Sequence, residues 1–148
     1  MGGATLNQTG VRAALLSDAD AVFRLLGRFA TSYDPVRSRF DTNYPRLIEN
    51  ESSDLMVAER GGQVVGYILA SDSLTLFANG LVTELVELYV DEEHRGEGIG
   101  RNLVEQAMGR AKDRRAVEVT VPTRRAREFY LARGFELTAE FFKLSLSK

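Results

Sequence analysis

The stretch that most constrains this 148-residue chain is a strand, a glycine-rich elbow and a helix between Leu81 and Leu103. It reads LVTELVELYVDEEHRGEGIGRNL: an apolar β-type run, an acidic turn, the elbow from Arg95 to Gly100, and the start of an amphipathic helix. The glycines let backbone amides approach a ligand closely, and the first helical turn offers unpaired N–H groups and a positive dipole end. The segment therefore predicts a phosphate-binding turn.

The glycine spacing excludes the two commonest nucleotide-binding motifs. The dinucleotide pattern G-x-G-x-x-G needs a glycine at position 101, where this chain has Arg101, and G-x-x-x-x-G-K-[ST] occurs nowhere. The elbow instead reads R-x-x-G-x-G from Arg95 to Gly100, directly after a strand that ends Leu88-Tyr89-Val90 and a short acidic turn. The phosphate ligand is thus expected to belong to another class of coenzyme.

A second motif follows the next β-type run along the chain. Residues 126–135 read AREFYLARGF. Its A-x-x-F-Y-x-x-x-G-F pattern, together with the preceding R-x-x-G-x-G, resembles the GCN5-related N-acetyltransferase (GNAT) family. The two motifs occur in the family's order and separation, and with the strand before the elbow they span residues 81–135, about a third of the chain.

Periodicity alone predicts a mixed α/β or α+β domain, because helical and strand patterns alternate along the chain. The GNAT resemblance implies a more specific fold. It is a mixed, mostly antiparallel central sheet in which two parallel strands splay apart, flanked by about four helices. We expect a loose N-terminus at residues 1–10 and a single domain at residues 11–148.

Three local predictions are open to correction by the structure. The first long helix is expected to be capped by Ser17 or Asp18. Two prolines interrupt residues 31–51, so that only one or two helical turns are expected there, around Arg46 to Asn50. The run from Phe135 to Leu146 predicts a final strand or pair of strands.

The resemblance implies acetyl-CoA (coenzyme A) as the acetyl donor. In the family, strand backbone groups, here those of Leu88 and Val90, pair with the pantetheine arm, and the elbow amides hold the pyrophosphate with help from Arg95. Thr123 stands where many relatives have an asparagine that contacts the pantetheine arm or the acceptor, and its hydroxyl can also hydrogen-bond. The residues expected at the coenzyme are Leu88, Tyr89, Val90, Arg95, Gly96, Glu97, Gly98, Ile99, Gly100, Arg101 and Thr123.

Tyr130 aligns with the family tyrosine whose hydroxyl faces the coenzyme sulfur and protonates the departing thiolate. The competing interpretation is that a helical tyrosine beside Phe129 only packs in the core. Because Phe129 already supplies an apolar face, the resemblance favours the catalytic role for Tyr130.

Two glutamates on the Leu81–Val90 strand are candidates for the general base. Strict alternation places Glu84 on the face of Leu88 and Val90 and puts Glu87 on the opposite face, whereas a bulge would re-aim these side chains. By resemblance, Glu84 falls where histone-acetylating relatives have their general base. Glu87 matches an acidic position that is common in relatives that acetylate small molecules. Glu84 is preferred, with Glu87 as substrate ligand or alternative base.

Composition excludes several other classes of protein. The chain has no cysteine and a single histidine, so we expect no disulfide, no thiolate nucleophile and no metal site. His94 is interpreted as an exposed loop residue.

No apolar run approaches the roughly 20 residues of a membrane span and no signal peptide is evident, so a cytoplasmic protein is expected. A net charge of −2 without interleaved basic and aromatic residues argues against nucleic acid. Monomer and homodimer both stay open.

These features predict an N-acetyltransferase that moves an acetyl group from acetyl-CoA to a primary amine by direct attack in a ternary complex. Carboxylates in the acceptor half suggest a cationic small molecule, because they would attract an ammonium group. The alternatives are a non-catalytic acyl-CoA-binding or sensing module, a protein N-terminal or lysine acetyltransferase, and an enzyme with a longer acyl donor or a hydroxyl acceptor. The acidic set is Glu49, Glu51, Asp54, Glu59, Asp72, Glu84 and Glu87.

Overall fold

The structure, a computed structural model, describes residues 9–30 and 33–147. Most of the predicted loose N-terminus, residues 1–8, lies outside these ranges, and Thr9 and Gly10 belong to the first strand. In chain order the elements are β1 (Thr9–Ala13), α1 (Ala19–Phe29), α2 (Arg37–Glu49), β2 (Ser53–Arg60), β3 (Gln63–Thr75), β4 (Gly80–Val90), α3 (Ile99–Asp113), β5 (Glu118–Thr120) and α4 (Arg127–Leu131), with short 3-10 turns at Leu16–Asp18 and Glu92–His94.

The described strands form one mixed sheet in the order β1-β2-β3-β4-β5. The first four strands pair antiparallel, and β5 runs parallel to β4. The β4–β5 pairing covers three residues on each strand, from Val82 opposite Glu118 to Glu84 opposite Thr120. Beyond Glu84 the two strands no longer pair, so the predicted splay of the parallel strands is confirmed.

Apolar side chains of the sheet pack on both of its faces. One face carries α3 and α4, whose Leu103, Val104 and Tyr130 join a buried cluster with strand residues such as Ile68 and Leu85. The other face carries α1 and α2 over a second cluster that includes Leu25, Tyr44, Tyr67 and Tyr89. The second half of β4 therefore lies between two packed layers, and both layers position the site.

Helix α2 is longer than the sequence predicted, and the expectation of only one or two turns was wrong. It runs for 13 residues with Pro45 inside it, although an internal proline removes one helical hydrogen bond. Tertiary contacts offset that loss: Tyr44 is buried, donates its hydroxyl to the Leu15 carbonyl at 2.7 Å, and stacks on Phe40 at 5.1 Å. Phe40 in turn packs edge-on against Phe23 of α1.

The predicted cap of α1 was also wrong in its chemistry. Asp18 occupies the N-cap position, but its side chain makes no capping hydrogen bond among the described residues. Its carboxylate instead accepts bonds from both terminal nitrogens of Arg12 and from the Leu15 amide. Asp18 therefore ties β1 to the turn before α1.

The predicted terminal strand or strands are absent from the described C-terminal segment. Residues 135–147 have no regular structure in the described chain, and β5 is at the edge of the sheet. A β-type sequence is therefore not sufficient by itself to form a strand. In the described part of the chain, no helix is both apolar and long enough to cross a membrane.

Candidate active site

A cavity of about 1150 Å³ opens where β4 and β5 separate. Its walls are the second half of β4, the elbow, the first turn of α3, the segment that leads into α4, and the C-terminal end of α1. The two sequence motifs thus face one space, although 25 residues of the chain lie between Gly100 and Ala126. Because this space lies between the packed layers, it offers both an apolar surface and helix ends.

The elbow has a backbone geometry that favours glycine. Gly96 and Gly98 have φ of +83° and +84°, a region that residues with a Cβ avoid. Gly98 is the N-cap of α3, and among the described residues no side chain caps this helix end. The amides of the first turn are therefore available to an anion at the positive end of the helix dipole.

Arginine dominates the charge of the cavity. Six arginines line it and, among the described lining residues, Glu87 is the one carboxylate. A polyanion would be stabilised here by both the helix end and the guanidinium groups. Of the arginines, only Arg95 and Arg101 were expected there from the sequence; the full set is Arg28, Arg95, Arg101, Arg124, Arg125 and Arg133.

Several residues expected at the coenzyme already have partners in the protein. Arg95 donates from Nε to the Val90 carbonyl at 3.0 Å and lies over the Tyr89 ring, so it also orders the end of β4. Thr123 accepts a bond from the Ala126 amide at 3.1 Å, which stabilises the entry to α4. In addition to making these contacts, all five of these residues, Ala126 included, line the cavity.

Glu97 has a different environment from the one expected. It lies outside the lining formed by the described residues and forms an ion pair with Arg60. His94, interpreted from sequence as an exposed loop residue, is half-buried, lines the cavity, and has its Nδ1 3.5 Å from a Glu97 carboxylate oxygen. The other residues expected at the coenzyme, including Leu88 and Ile99, do line the cavity.

A bulge in β4 decides where the candidate bases point. Leu69 of β3 is opposite Glu87 and Ala70 is opposite Leu85, so Val86 is an extra residue in β4. Leu69 and Ser71 lie on one face of β3, and their partners Glu87 and Glu84 therefore share that face. The strict alternation that placed Glu84 beside Leu88 and Val90 is wrong, and the bulged alternative is confirmed.

Glu87, rather than Glu84, reaches the cavity. Glu84 lies outside the lining that the described residues form. Glu87 accepts a hydrogen bond from the hydroxyl of Tyr67 at 2.8 Å, and Tyr67 is only 2% exposed. Burial raises the pKa of Glu87, and the Tyr67 bond opposes that rise. A carboxylate whose pKa is raised toward neutrality is suited to accept a proton.

Tyr130 also lines the cavity, from the opposite side. It is 6% exposed on α4 and packs edge-on against Phe129 and Phe135, with ring centroids 5.0 and 5.3 Å away. Burial raises the pKa of its hydroxyl, so the group stays protonated at neutral pH. Tyr130 thus combines core packing with access to the cavity, and the two interpretations of its role are compatible.

The acidic acceptor side expected from the sequence does not form at the cavity. Asp54 pairs with Arg110 at 2.7 Å, and Asp72 pairs with Arg114 at 2.6 Å. Glu59 pairs with Arg12 of β1 at 2.8 Å. Of the acidic set, only Glu87 is among the described lining residues. The prediction of an acidic acceptor side was wrong because the strands place these carboxylates at other parts of the sheet.

Comparison with known proteins agrees with this geometry. The model of the acetyltransferase (GNAT) family matches residues 19–135. The chain therefore belongs to the GNAT family of acetyltransferases, whose sheet and splayed strands it shares. Among the similar sequences, an uncharacterized N-acetyltransferase of Archaeoglobus fulgidus is 36% identical over 104 residues, which are 66% of this chain and 71% of that protein.

Other similar proteins either match this chain over a smaller part of their own length or share only its fold. Mouse N-acetyltransferase 8B is 34% identical over 91 residues, 59% of this chain, and this chain spans only 39% of the mouse protein. Glucosamine-6-phosphate N-acetyltransferase from Arabidopsis thaliana superposes with a TM-score of 0.83 at 18% identity, over 95% of this chain and all of that one. A structural likeness at such low identity establishes the fold alone.

Proposed function

We propose that this protein transfers an acetyl group from acetyl-CoA to a primary amine, by direct attack while both substrates are bound. One observation carries the proposal: the open end of α3, Glu87 and Tyr130 all line the same cavity between β4 and β5. An anion site, a proton acceptor and a proton donor are the groups that this reaction needs.

The residues present fit the proposed donor. The pyrophosphate would be held by amides of the elbow and of the first turn of α3, with Arg101 and Arg95 beside them. The apolar floor of the cavity, which includes Leu85, Leu88 and Val121, suits the pantetheine arm. When bound, acetyl-CoA supplies the thioester carbonyl that the amine attacks.

Glu87 and Tyr130 would handle the protons. Glu87 would take the proton that the amine nitrogen loses, directly or through water, as that nitrogen bonds to the acetyl carbon. Tyr130 would give its hydroxyl proton to the sulfur as the C–S bond breaks. Glu87 replaces Glu84 as the preferred base in this proposal, because Glu87 is the carboxylate that lines the cavity.

The acceptor would enter between Glu87 and the aromatic wall that α1 and the following segment provide. Leu26, Phe29 and Tyr33 line that side. Glu87 is the group that an ammonium would meet there, so we retain a cationic small molecule as the acceptor class. A cytoplasmic location is part of the same proposal.

The direct test incubates the purified protein with acetyl-CoA and a panel of amines. The panel contains a polyamine, an aminoglycoside, an amino sugar, a lysine peptide and a peptide with a free N-terminus. We expect free thiol to appear in equal amount to a product that carries one added acetyl group by mass spectrometry. A cationic small amine should give the highest kcat/KM.

Other outcomes would replace the proposal. Tight acetyl-CoA binding without thiol release from any amine would indicate the non-catalytic binding module. Transfer confined to the peptides would indicate a protein acetyltransferase. A larger rate with a longer acyl-CoA or a hydroxyl acceptor would change the reaction class.

A further inference from the structure

Arg133 is a cavity residue whose position is fixed by its neighbours. It lies two residues after the end of α4, and its Nη1 donates to the Phe129 carbonyl at 2.7 Å. Its guanidinium carbon lies 3.7 Å from the centroid of the Phe129 ring, a close cation–π contact. The guanidinium therefore has one hydrogen bond and one ring contact that hold it on α4, and it also lines the cavity.

These contacts leave the Nε donor of Arg133 unused. Its Nε is buried and has no hydrogen-bond partner among the residues that the structure describes. Buried polar nitrogens in proteins are nearly always paired, and an unpaired one calls for an explanation. A fixed guanidinium with a spare N–H is suited to a negative charge that forms only during a reaction.

Tyr130 is the neighbour on which such a charge would form. The amide of Arg133 donates to the Tyr130 carbonyl at 3.0 Å, so the two residues belong to the same turn. The positive charge of Arg133 opposes the effect of burial on the Tyr130 pKa. A buried phenolate without a nearby cation would be costly.

We propose that Arg133 is a positioning residue that stabilises the phenolate of Tyr130 after its proton has moved to the leaving sulfur. The O–H bond of Tyr130 breaks, an S–H bond forms, and the oxygen keeps the electron pair while Arg133 stays protonated. This inference rests on the proposed acetyl transfer. Nothing in either sequence motif marks the position, since the family pattern leaves residue 133 unspecified.

The test compares Arg133→Gln with Arg127→Gln, an exposed arginine of α4 outside the described lining. We expect Arg133→Gln to lower kcat by about 10- to 100-fold, which is no more than the lower end of the roughly 10²- to 10⁴-fold contribution of a general acid itself. Its acetyl-CoA Kd, from calorimetry, should stay within about threefold of the wild type. Arg133→Lys should recover part of the loss because the charge remains. Arg127→Gln should match the wild type in both measurements.

A double-mutant cycle identifies the residue through which Arg133 acts. In a Tyr130→Phe background there is no phenolate to stabilise, so Arg133→Gln should cost less than about twofold further. An equal cost in both backgrounds would overturn the proposal. A rise in acetyl-CoA Kd that accounts for the whole defect would make Arg133 a coenzyme ligand instead. Failure of the wild type itself to transfer acetyl would refute the proposed function, which is a separate result.

Discussion

At the scale of single residues, Glu87 gains its environment from the face of β4 that it shares with Tyr89, where it meets Tyr67 of β3. The bulge at Val86 brings Glu84 onto the same face. Burial then raises the pKa of the carboxylate, and the hydroxyl of Tyr67 limits that rise. Two predictions separate the catalytic role of Glu87 from that of its neighbour on the same face, Glu84.

The first compares Glu87→Gln with Glu84→Gln. Glutamine keeps the shape of each side chain and removes its ability to accept a proton. We expect Glu87→Gln to lower kcat by roughly 10²- to 10⁴-fold, the range of general base catalysis. Glu84→Gln should stay within a few fold of the wild type. Steady-state kinetics with the best acceptor measure both, and the reverse order of effects would restore Glu84 as the base.

The second prediction concerns the hydrogen bond from Tyr67. That bond lowers the pKa of Glu87, so Tyr67→Phe should raise this pKa further. The base must be ionised to act, and the acidic limb of the kcat/KM profile should therefore move to higher pH, with recovery at alkaline pH. Tyr44→Phe removes another buried hydroxyl, bonded to Leu15, and should leave the limb in place. An unmoved limb in Tyr67→Phe would show that another group sets it.

At the scale of elements, the elbow and the first turn of α3 form one structural unit, in which Gly98 has to meet two requirements. Gly98 must adopt a positive φ, and its Cα must leave room for a ligand. A Cβ at Gly98 would meet no protein atom within 4 Å, so the protein itself does not need that space. The glycine therefore serves the backbone conformation and, in our proposal, the bound phosphate.

Gly98→Ala and Gly62→Ala separate these two requirements. Gly62, in the β2–β3 turn, has φ of +77° and the same open space around a Cβ. Each variant should lose about 1–2 kcal/mol of stability from backbone strain. Only Gly98→Ala should weaken acetyl-CoA binding, by about tenfold or more, as measured by calorimetry. Equal affinity in the two variants would remove the elbow from the coenzyme site.

At the scale of the whole molecule, an ion-pair cluster joins the α1 layer to the end of β4. Asp91 is 6% exposed and follows β4 directly. Arg24 and Arg28 of α1 both donate to its carboxylate. Burial opposes the ionisation of Asp91, but the two arginine bonds together outweigh it, and its pKa is lowered. This cluster holds one wall of the cavity against the elbow.

The lowered pKa of Asp91 predicts that the folded protein loses stability as the pH falls. A carboxylate whose pKa is lower in the folded state stabilises the protein above its unfolded pKa, about 3.9 for aspartate, and loses that effect as pH falls below it. Asp91→Asn should cost about 1–3 kcal/mol at neutral pH, because it leaves two arginines without their partner. The difference in unfolding free energy between Asp91→Asn and the wild type should become smaller at acidic pH. Urea unfolding at several pH values measures it, with Glu92→Gln, an exposed neighbour, as the control.

The two motifs could be predicted from sequence because their demands are local. A positive φ at Gly98, the helix that starts after it, and the placement of Tyr130 on a short helix depend on residues a few positions away. The elbow residues other than Glu97 line the cavity. The mixed, mostly antiparallel sheet with two splayed strands followed from the family resemblance, because periodicity alone predicted only a mixed α/β or α+β domain.

Other features depend on partners that are far away in the chain, and only the tertiary structure decided them. The bulge at Val86 depends on the register with β3, and it reverses the face of Glu84. Helix α2 tolerates Pro45 because Tyr44 is buried in a cluster with Leu25 of α1 and bonds to the Leu15 carbonyl. Residues 135–147 alternate like a strand but find no strand partner among the described residues. Backbone conformation is set by neighbours in sequence, but pairing and burial are set by whichever surface the fold brings near, and for Glu87 that surface is Tyr67.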